Sequence, residues 1–309
     1  MESNPLISII IPTRNRGALL ATCLNAIQAQ SYPHYEVLLL DDGSDLENRE
    51  LAKQILQHYD HRVQWHEVNA AGTPGSGVSV IRNKGIKLAK GDYITFCDDD
   101  DYWCRNDHLE VAVNAMAQQK AQAYFAGIRV EDTEGKVVFE KMMPNVEKTL
   151  KPDQSLSVGN VYRVSAKQML SHPDYAHLNI TVVDKDLLQK IGGFWEHTNY
   201  CEDVDLFVRI CDVAETILFR PEICAVHNAP AQRPSISASN RLTLQDKYLL
   251  EASVYQHLLM TCNHPDALRY AKISLSYLYK KIAEKFKAEG NKAATISYAQ
   301  RALAVRPTL

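Results

Sequence analysis

With 309 residues, 46% of them hydrophobic, the chain can bury a full core, and its length suggests two domains or one large domain with an appendage. A formal net charge of -3 leaves no basic excess to drive counterion release, which argues against a nucleic-acid partner. Seven cysteines without a CxxC pair or a metal-type Cys/His spacing read as reduced thiols, and no segment approaches the ~18 apolar residues of a membrane span.

The N-terminal apolar run stops at Pro12 without a basic region before it, so no signal sequence is read there. The expectation is a cytoplasmic protein whose contact with a membrane, at its inner face, is peripheral.

LISIII (6–11) and YEVLLL (35–40) are short aliphatic, β-branched runs that fit strands buried on both faces. Each precedes a helical pattern, ALLATCLNAIQAQ (18–30) and LENRELAKQILQHY (46–59). VQWHEV (63–68) is a third strand, and after the loop NAAGTPGSG a helix through VSVIRNKGIKLAKG leads to the strand DYITFC (92–97). Strand and helix alternating at this spacing predict a parallel, doubly wound α/β sheet. The loop AGTPGSG lacks both G-x-G-x-x-G and a Gly-Lys-Ser/Thr ending, so it is neither a dinucleotide fingerprint nor a P-loop.

From about residue 105 the order changes. A helix over DHLEVAVNAMAQQKA gives way to a hairpin of AYFAGIRVE and KVVFEKM, then to NITVVD (179–184), a helix ending at Ile191-Gly192-Gly193, and the helix CEDVDLFVRICDVA. NAPAQRPSISASN (228–240) reads as a loop, and residues from about 242 to the end as all helix. Tyr279, Ile282, Ala283, Phe286 and Gly290, then Ala299, Ala302 and Pro307, have the spacing of a tetratricopeptide-type helix pair. One such pair cannot bury its own face, which leaves a surface for a protein partner or self-association. The divisions are 1–104, 105–240 and 241–309.

Ligands of open α/β sheets sit beyond the carboxyl ends of the strands. That rule selects Pro12-Thr13-Arg14-Asn15-Arg16, Asp41-Asp42-Gly43-Ser44 and the run Asp98 to Asp101. Consecutive like charges repel by ~1–3 kcal/mol per neighbouring pair at intermediate dielectric, so the run is either a solvated acidic turn or a seat for a cation.

IIPTRNR, LLLDDGS, IRNKGIKLAKGDYITFCDDDDYW, GGF and EDVDLFVRI together resemble the family 2 glycosyltransferases, nucleotide-sugar-dependent inverting hexosyltransferases of the GT-A fold. The likeness covers about residues 6–227. It implies a Rossmann-like doubly wound mixed sheet, with the C-terminal helices as an appendage. It implies a divalent metal, Mn2+ or Mg2+, at the D-x-D-D pattern, where Asp98 faces the ribose and Asp100 ligates the ion. Asp99 stands where the family has a small polar residue, which leaves the register open by one, and Asp101 is read as capping the next helix.

By the same resemblance the nucleotide, most simply UDP, lies along Pro12, Thr13, Arg14 and Asn15, with one of Asp41 and Asp42 on the base and Arg82 nearby. Taken alone, Arg82 has a second reading as a surface salt bridge. Asp203, the aspartate of the E-D motif, is the base that an inverting attack requires, its anion favoured by the helix N-terminus, and Glu202 orients acceptor or base. His227 is a metal ligand or a structural histidine, Trp195 stacks on an acceptor sugar or packs in the core, and Arg233 closes over the diphosphate.

The reading is transfer from a nucleotide-sugar donor to a carbohydrate or lipid-linked acceptor in surface-polysaccharide or glycoconjugate synthesis. Its rivals are a catalytically silent nucleotide-sugar binder or scaffold acting through its helical tail, and a nucleotidyltransferase. The latter would carry a glycine-rich, lysine-bearing loop that PTRNRG lacks.

Overall fold

The computed structural model describes residues 4–132, 134–198, 200–229 and 242–307. The elements run β1 (Ile7–Thr13), α1 (Leu20–Gln28), β2 (Tyr35–Asp41), α2 (Leu46–Leu56), β3 (Val63–Glu67), α3 (Val78–Leu88) and β4 (Tyr93–Phe96). They continue with β5 (Tyr102–Trp103), α4 (His108–Gln119), β6 (Ala123–Glu131), β7 (Val137–Phe139), α5 (Pro144–Glu147), β8 (Tyr162–Val164) and α6 (Ala166–Met169). Last come β9 (Thr181–Asp184), α7 (Lys185–Lys190), α8 (Glu202–Val213), β10 (Ile217–Asn228), α9 (Leu244–Thr261), α10 (Pro265–Ala288) and α11 (Lys292–Val305).

The strands form one mixed sheet in the order β3-β2-β1-β4-β9-β6-β10-β5, with β7 beside β6 and β8 beside β10. β1 to β4 pair in parallel as their aliphatic runs predict, because crossover helices cover both faces and leave no polar side for alternation. α3 lies close against this half. A Cβ on Gly85 would come within 2.7 Å of Ile10 and 2.8 Å of Leu40, so glycine is what permits that approach.

β9 then runs antiparallel between β4 and β6, which turns the sheet from parallel to mixed. Three strands lie outside the periodic patterns in the sequence. β5 and β8 are two and three residues long, and the first half of β10 is hidden by Pro221-Glu222, where the pairing with β6 shifts register. Proline cannot donate to a ladder, so the strand continues past it only by bulging.

The tail is helical as expected. Thr243 and Asp246 make a reciprocal capping box on α9, and Pro265 begins α10 where its missing N–H costs nothing. α10 and α11 form the expected helix pair around Gly290, whose φ of 75° closes the turn. α9 instead packs on both α8 and α10, so the tail is seated on the sheet domain as a bundle. Its buried Val254, Leu258, Leu275 and Ile282 belong to the same apolar cluster as the sheet. Among the described residues no helix is long and apolar enough to cross a membrane.

Candidate active site

The parallel strands deliver their C-terminal residues to one end of the sheet. β4 stops at Phe96, and the next residues form a tight turn in which the Asp101 N–H donates to the Asp98 carbonyl (3.1 Å). The four carboxylates then diverge. Asp98 pairs with Arg82 (2.6 Å). Asp99 accepts from the Thr13 hydroxyl (2.7 Å) and from Arg16 (2.9 Å). Asp100 meets the same Arg16 nitrogen (3.0 Å) and, with its side chain 25% exposed, faces solvent more than Asp99 or Asp101 does.

Asp101 does not cap a helix, because α4 begins only at His108 with Asp107 before it. It is fully buried and accepts from the Asn228 N–H (2.8 Å) and from Asn179, and lies 2.8 Å from His227 Nδ1. The acidic run is therefore built inward rather than solvated. Thr13 spends its hydroxyl on Asp99, tying the ends of β1 and β4 together.

Crowding marks these groups. Burial, opposed by Arg16, pushes Asp99 to about 6. Burial and then the Asp101 and Asp99 charges push Asp100 to about 7. Asp98 goes the other way, since its burial is outweighed by the Arg82 guanidinium together with His177 and His227. Burial would lower His227, but its bond to Asp101 lifts it to about 9, whereas burial and His227 hold His177 near 4.

Ligand atoms of Asp101, His177 and His227 all lie within 4.8 Å of one another. The two imidazole rings lie 4.6 Å apart, tilted by 35° to each other. A carboxylate oxygen with two imidazole nitrogens, beside the part-exposed Asp100, is a donor set that fits a divalent transition metal better than Mg2+, which prefers oxygen and water alone. The structure thus brings His227 to Asp101 and His177, while Asp100 sits with Arg16.

On the nucleotide side, Asp41 and Asp42 separate in role. Asp41 is fully buried, with one oxygen taken by Arg49 (2.8 Å from Nε) and the other by the Ser44 N–H (3.2 Å). It holds the second strand end together and presents no exposed side-chain surface. Asp42 instead draws in the glycine-rich loop through the N–H groups of Ser76 (2.8 Å) and Gly77 (3.2 Å). Arg14 reaches across to the Thr73 carbonyl (3.2 Å), and its Nε is buried with no partner among the described residues. Pro12 is the penultimate residue of β1, in register with Leu40. Asn15 sits at φ 53° with its side chain accepting from the Asp45 N–H (2.9 Å), a turn-forming role.

Opposite the acidic turn stands the N-terminus of α8. Cys201, immediately before it, is left-handed at φ 59°, an uncommon conformation for a side-chain-bearing residue. Arg82 is no surface ion pair. It is 4% exposed and joins Asp98 (2.6 Å) to Glu202 (2.8 Å), linking the turn to the E-D helix.

Asp203 accepts from the Val204 N–H (2.8 Å). The expectation that the helix terminus holds its anion is reversed: burial and then the Glu202 charge raise its carboxyl to about 7. Its burial, with the neighbouring charges of Glu202 and Asp98, exceeds a helix-terminus contribution of ~0.3–1 kcal/mol.

Asn83, beside Arg82, holds the Gly-Gly-Phe loop by accepting from the Phe194 N–H (2.8 Å) and donating to its carbonyl (2.9 Å). Gly193 is required there, since φ is 67° and a Cβ would lie 2.4 Å from Asn83 Oδ1. Trp195 stacks on His257 of α9 at 4.1 Å, so one indole face is covered by the tail.

Arg233 lies outside the described residues. Sequence reasoning passed over His177, Asn179 and Asn228, and quoted Arg16 without assigning it a role. Asn179 holds the turn by accepting from the Asp98 N–H (3.0 Å). Arg16 offered a signal, two residues beyond Arg14 in a strand-end motif, while His177 lies in a stretch without periodicity.

The family model for glycosyl transferase family 2 matches residues 8–176. The chain is 37% identical over 101 residues to the uncharacterized glycosyltransferase YibD of Escherichia coli, covering 33% of this chain and 28% of that protein's length. In fold it is similar to S. aureus TarS 1-349 in complex with UDP-GlcNAc, with a TM-score of 0.69 at 17% identity over 98% of this chain and 82% of that one. It is likewise similar to the mannosyltransferase PcManGT of Pyrobaculum calidifontis in complex with GDP-Man and Mn2+, with a TM-score of 0.62 at 16% identity over 100% of this chain and 77% of that one.

Proposed function

The chain belongs to glycosyl transferase family 2, and from that premise we propose that it transfers a sugar, with inversion, from a nucleotide donor to a carbohydrate or lipid-linked acceptor. The observation that carries the reading is Arg82, a buried guanidinium that joins the acidic turn at Asp98 to the helix bearing Glu202 and Asp203. A nucleotide-sugar with a metal-bound diphosphate needs charge compensation at one end and a proton acceptor at the other. Support for a nucleotide-sugar also comes from the ligands in the TarS and PcManGT structures.

The residues that would hold the cation are Asp100, Asp101, His177 and His227. A divalent ion there supplies the positive charge that offsets the departing diphosphate. Thr13, Arg14 and Pro12 border the nucleotide, with Asp42 rather than Asp41 toward the base and Asp98 toward the ribose. Asp203 takes the proton from the attacking acceptor hydroxyl. Glu202, fixed by Arg82, keeps the carboxyl of Asp203 in its raised range. We read the donor as a UDP-sugar, the setting as the cytoplasmic face of surface-polysaccharide synthesis, and Arg233 as a diphosphate contact.

The test is a donor panel with Mn2+ in which nucleoside diphosphate release is measured for each nucleotide sugar. Release from one donor class is expected. Neither turnover nor binding of any donor at millimolar concentration would overturn the reading. The metal register is tested separately by Mn2+ titration: Asp100→Ser should weaken binding at least about tenfold, the loss of one carboxylate ligand, whereas Asp99→Ser should change it little. The opposite ranking would move the ligand to Asp99.

A further inference from the structure

We infer that His257, on the appended helix α9, is a positioning residue for the helix that carries the proposed base. The inference rests on the transfer reading for its kinetic consequence, but not for its structural one. Asp205, two residues beyond Asp203 on α8, is fully buried and joins two arms. Its Oδ1 lies 2.7 Å from His257 Nδ1, and since an ionised carboxylate only accepts, the imidazole donates. Its Oδ2 accepts from Arg209 Nε (2.7 Å).

Arg209 passes the connection on, donating to the carbonyls of Ile191 (2.9 Å) and Gly193 (2.7 Å). The His257 ring stacks on Trp195 with an interplanar angle of 3°. The Gly-Gly-Phe-Trp loop is thus held at Gly193 by α8 and at Trp195 by α9. Asn83 secures Phe194 between them, and the next residue on α3, Arg82, bonds Asp98 and Glu202.

One tail histidine therefore closes a ring that runs from α9 through α8 and the loop to α3. Among the described residues Asp203 accepts one hydrogen bond, from its neighbouring backbone N–H, so the direction of its carboxylate follows the placement of α8. Misplacing a reacting group by about 1 Å costs up to about 10²-fold in rate. This gives the helical appendage a role in the chemistry beyond covering apolar surface.

The test compares His257→Ala, His257→Asn and His257→Phe in the full chain. His257→Ala is expected to speed amide hydrogen exchange in α8 at 204–208 while β1, β2 and β4 exchange as in the wild type, and to lower kcat about 10- to 100-fold with the donor KM within about twofold. His257→Asn, which keeps an amide donor near the position of Nδ1, should recover most of kcat. His257→Phe, which keeps the ring on Trp195 but not the bond to Asp205, should not.

Wild-type exchange in α8 of His257→Ala, a uniform rise over every strand, or recovery by Phe instead of Asn would each overturn the inference. The exchange experiment uses no substrate. If α8 loosens as expected but even the wild-type protein turns over no donor, the transfer reading fails while the positioning of α8 stands.

Discussion

Asp203→Asn is expected to bind donor and Mn2+ as the wild type does while slowing transfer by about 10²–10⁴-fold, the range attributed to a positioned general base. The asparagine keeps the size of the side chain and can still meet the Val204 N–H, but it cannot take a proton. The wild-type carboxyl is suited to the role because burial and Glu202 raise it from 3.8 to about 7, where a base is half available at neutral pH and strong enough to accept. Transfer should therefore rise with pH through about 7 in the wild type. Stability moves in the opposite direction. A carboxyl whose folded pKa is raised keeps its proton in the folded chain, so its contribution is fully present below the ordinary value of 3.8 and is lost as pH climbs to about 7. Asp203→Asn should consequently melt about 2 °C or more above the wild type at pH 8, and show little gain at pH 4. Thermal scans at both pH values and a pH–rate profile check the two halves independently. A variant that transfers at close to the wild-type rate would remove Asp203 as the base.

The raised Asp203 carboxyl also marks where sequence reasoning stops. Position at a helix N-terminus is a local property, and by itself it points to a stabilised anion. Burial and the placement of Glu202 are tertiary, and they decide the sign. The same division runs through the whole molecule. β1 to β4 are legible because a strand buried on both faces must be a continuous aliphatic run, and the strand-end rule then places Thr13, Asp42 and Asp98 at one end of the sheet. The first half of β10 is not legible, because Pro221-Glu222 interrupts it and the bulge is taken up in its pairing with β6. His177 has no local signal at all. It reaches Asp101 and His227 through the short turn before β9. Trp195 carries a related lesson. An aromatic next to the E-D helix reads as a sugar platform, yet one of its faces is taken by a histidine about sixty residues further along the chain, from a tail whose packing no local pattern specifies.

Arg82→Ala should be the most destabilising single change at the site, because the guanidinium is 4% exposed and its removal takes from Asp98 and Glu202 the cation that bonds them both next to Asp203. Breaking a buried ion pair from one side costs about 3–5 kcal/mol, which urea denaturation would resolve as a lower midpoint at unchanged slope. Asp98 is expected to lose most, since against its burial Arg82 is the leading one of the groups, with His177 and His227, that keep it below the ordinary carboxylate range. Arg82→Lys restores one charge but not two arms. A single ammonium cannot span both carboxylates in the planar geometry of a guanidinium, so this variant should recover much of the stability yet remain at least about tenfold slow in transfer. That split separates charge from geometry. If Arg82→Ala unfolds within about 1 kcal/mol of the wild type, the value of an exposed pair, then the link between the acidic turn and the E-D helix is not energetically coupled. If Arg82→Lys transfers at the wild-type rate, charge alone suffices and the two-armed bridge has no part in positioning Glu202 beside the base.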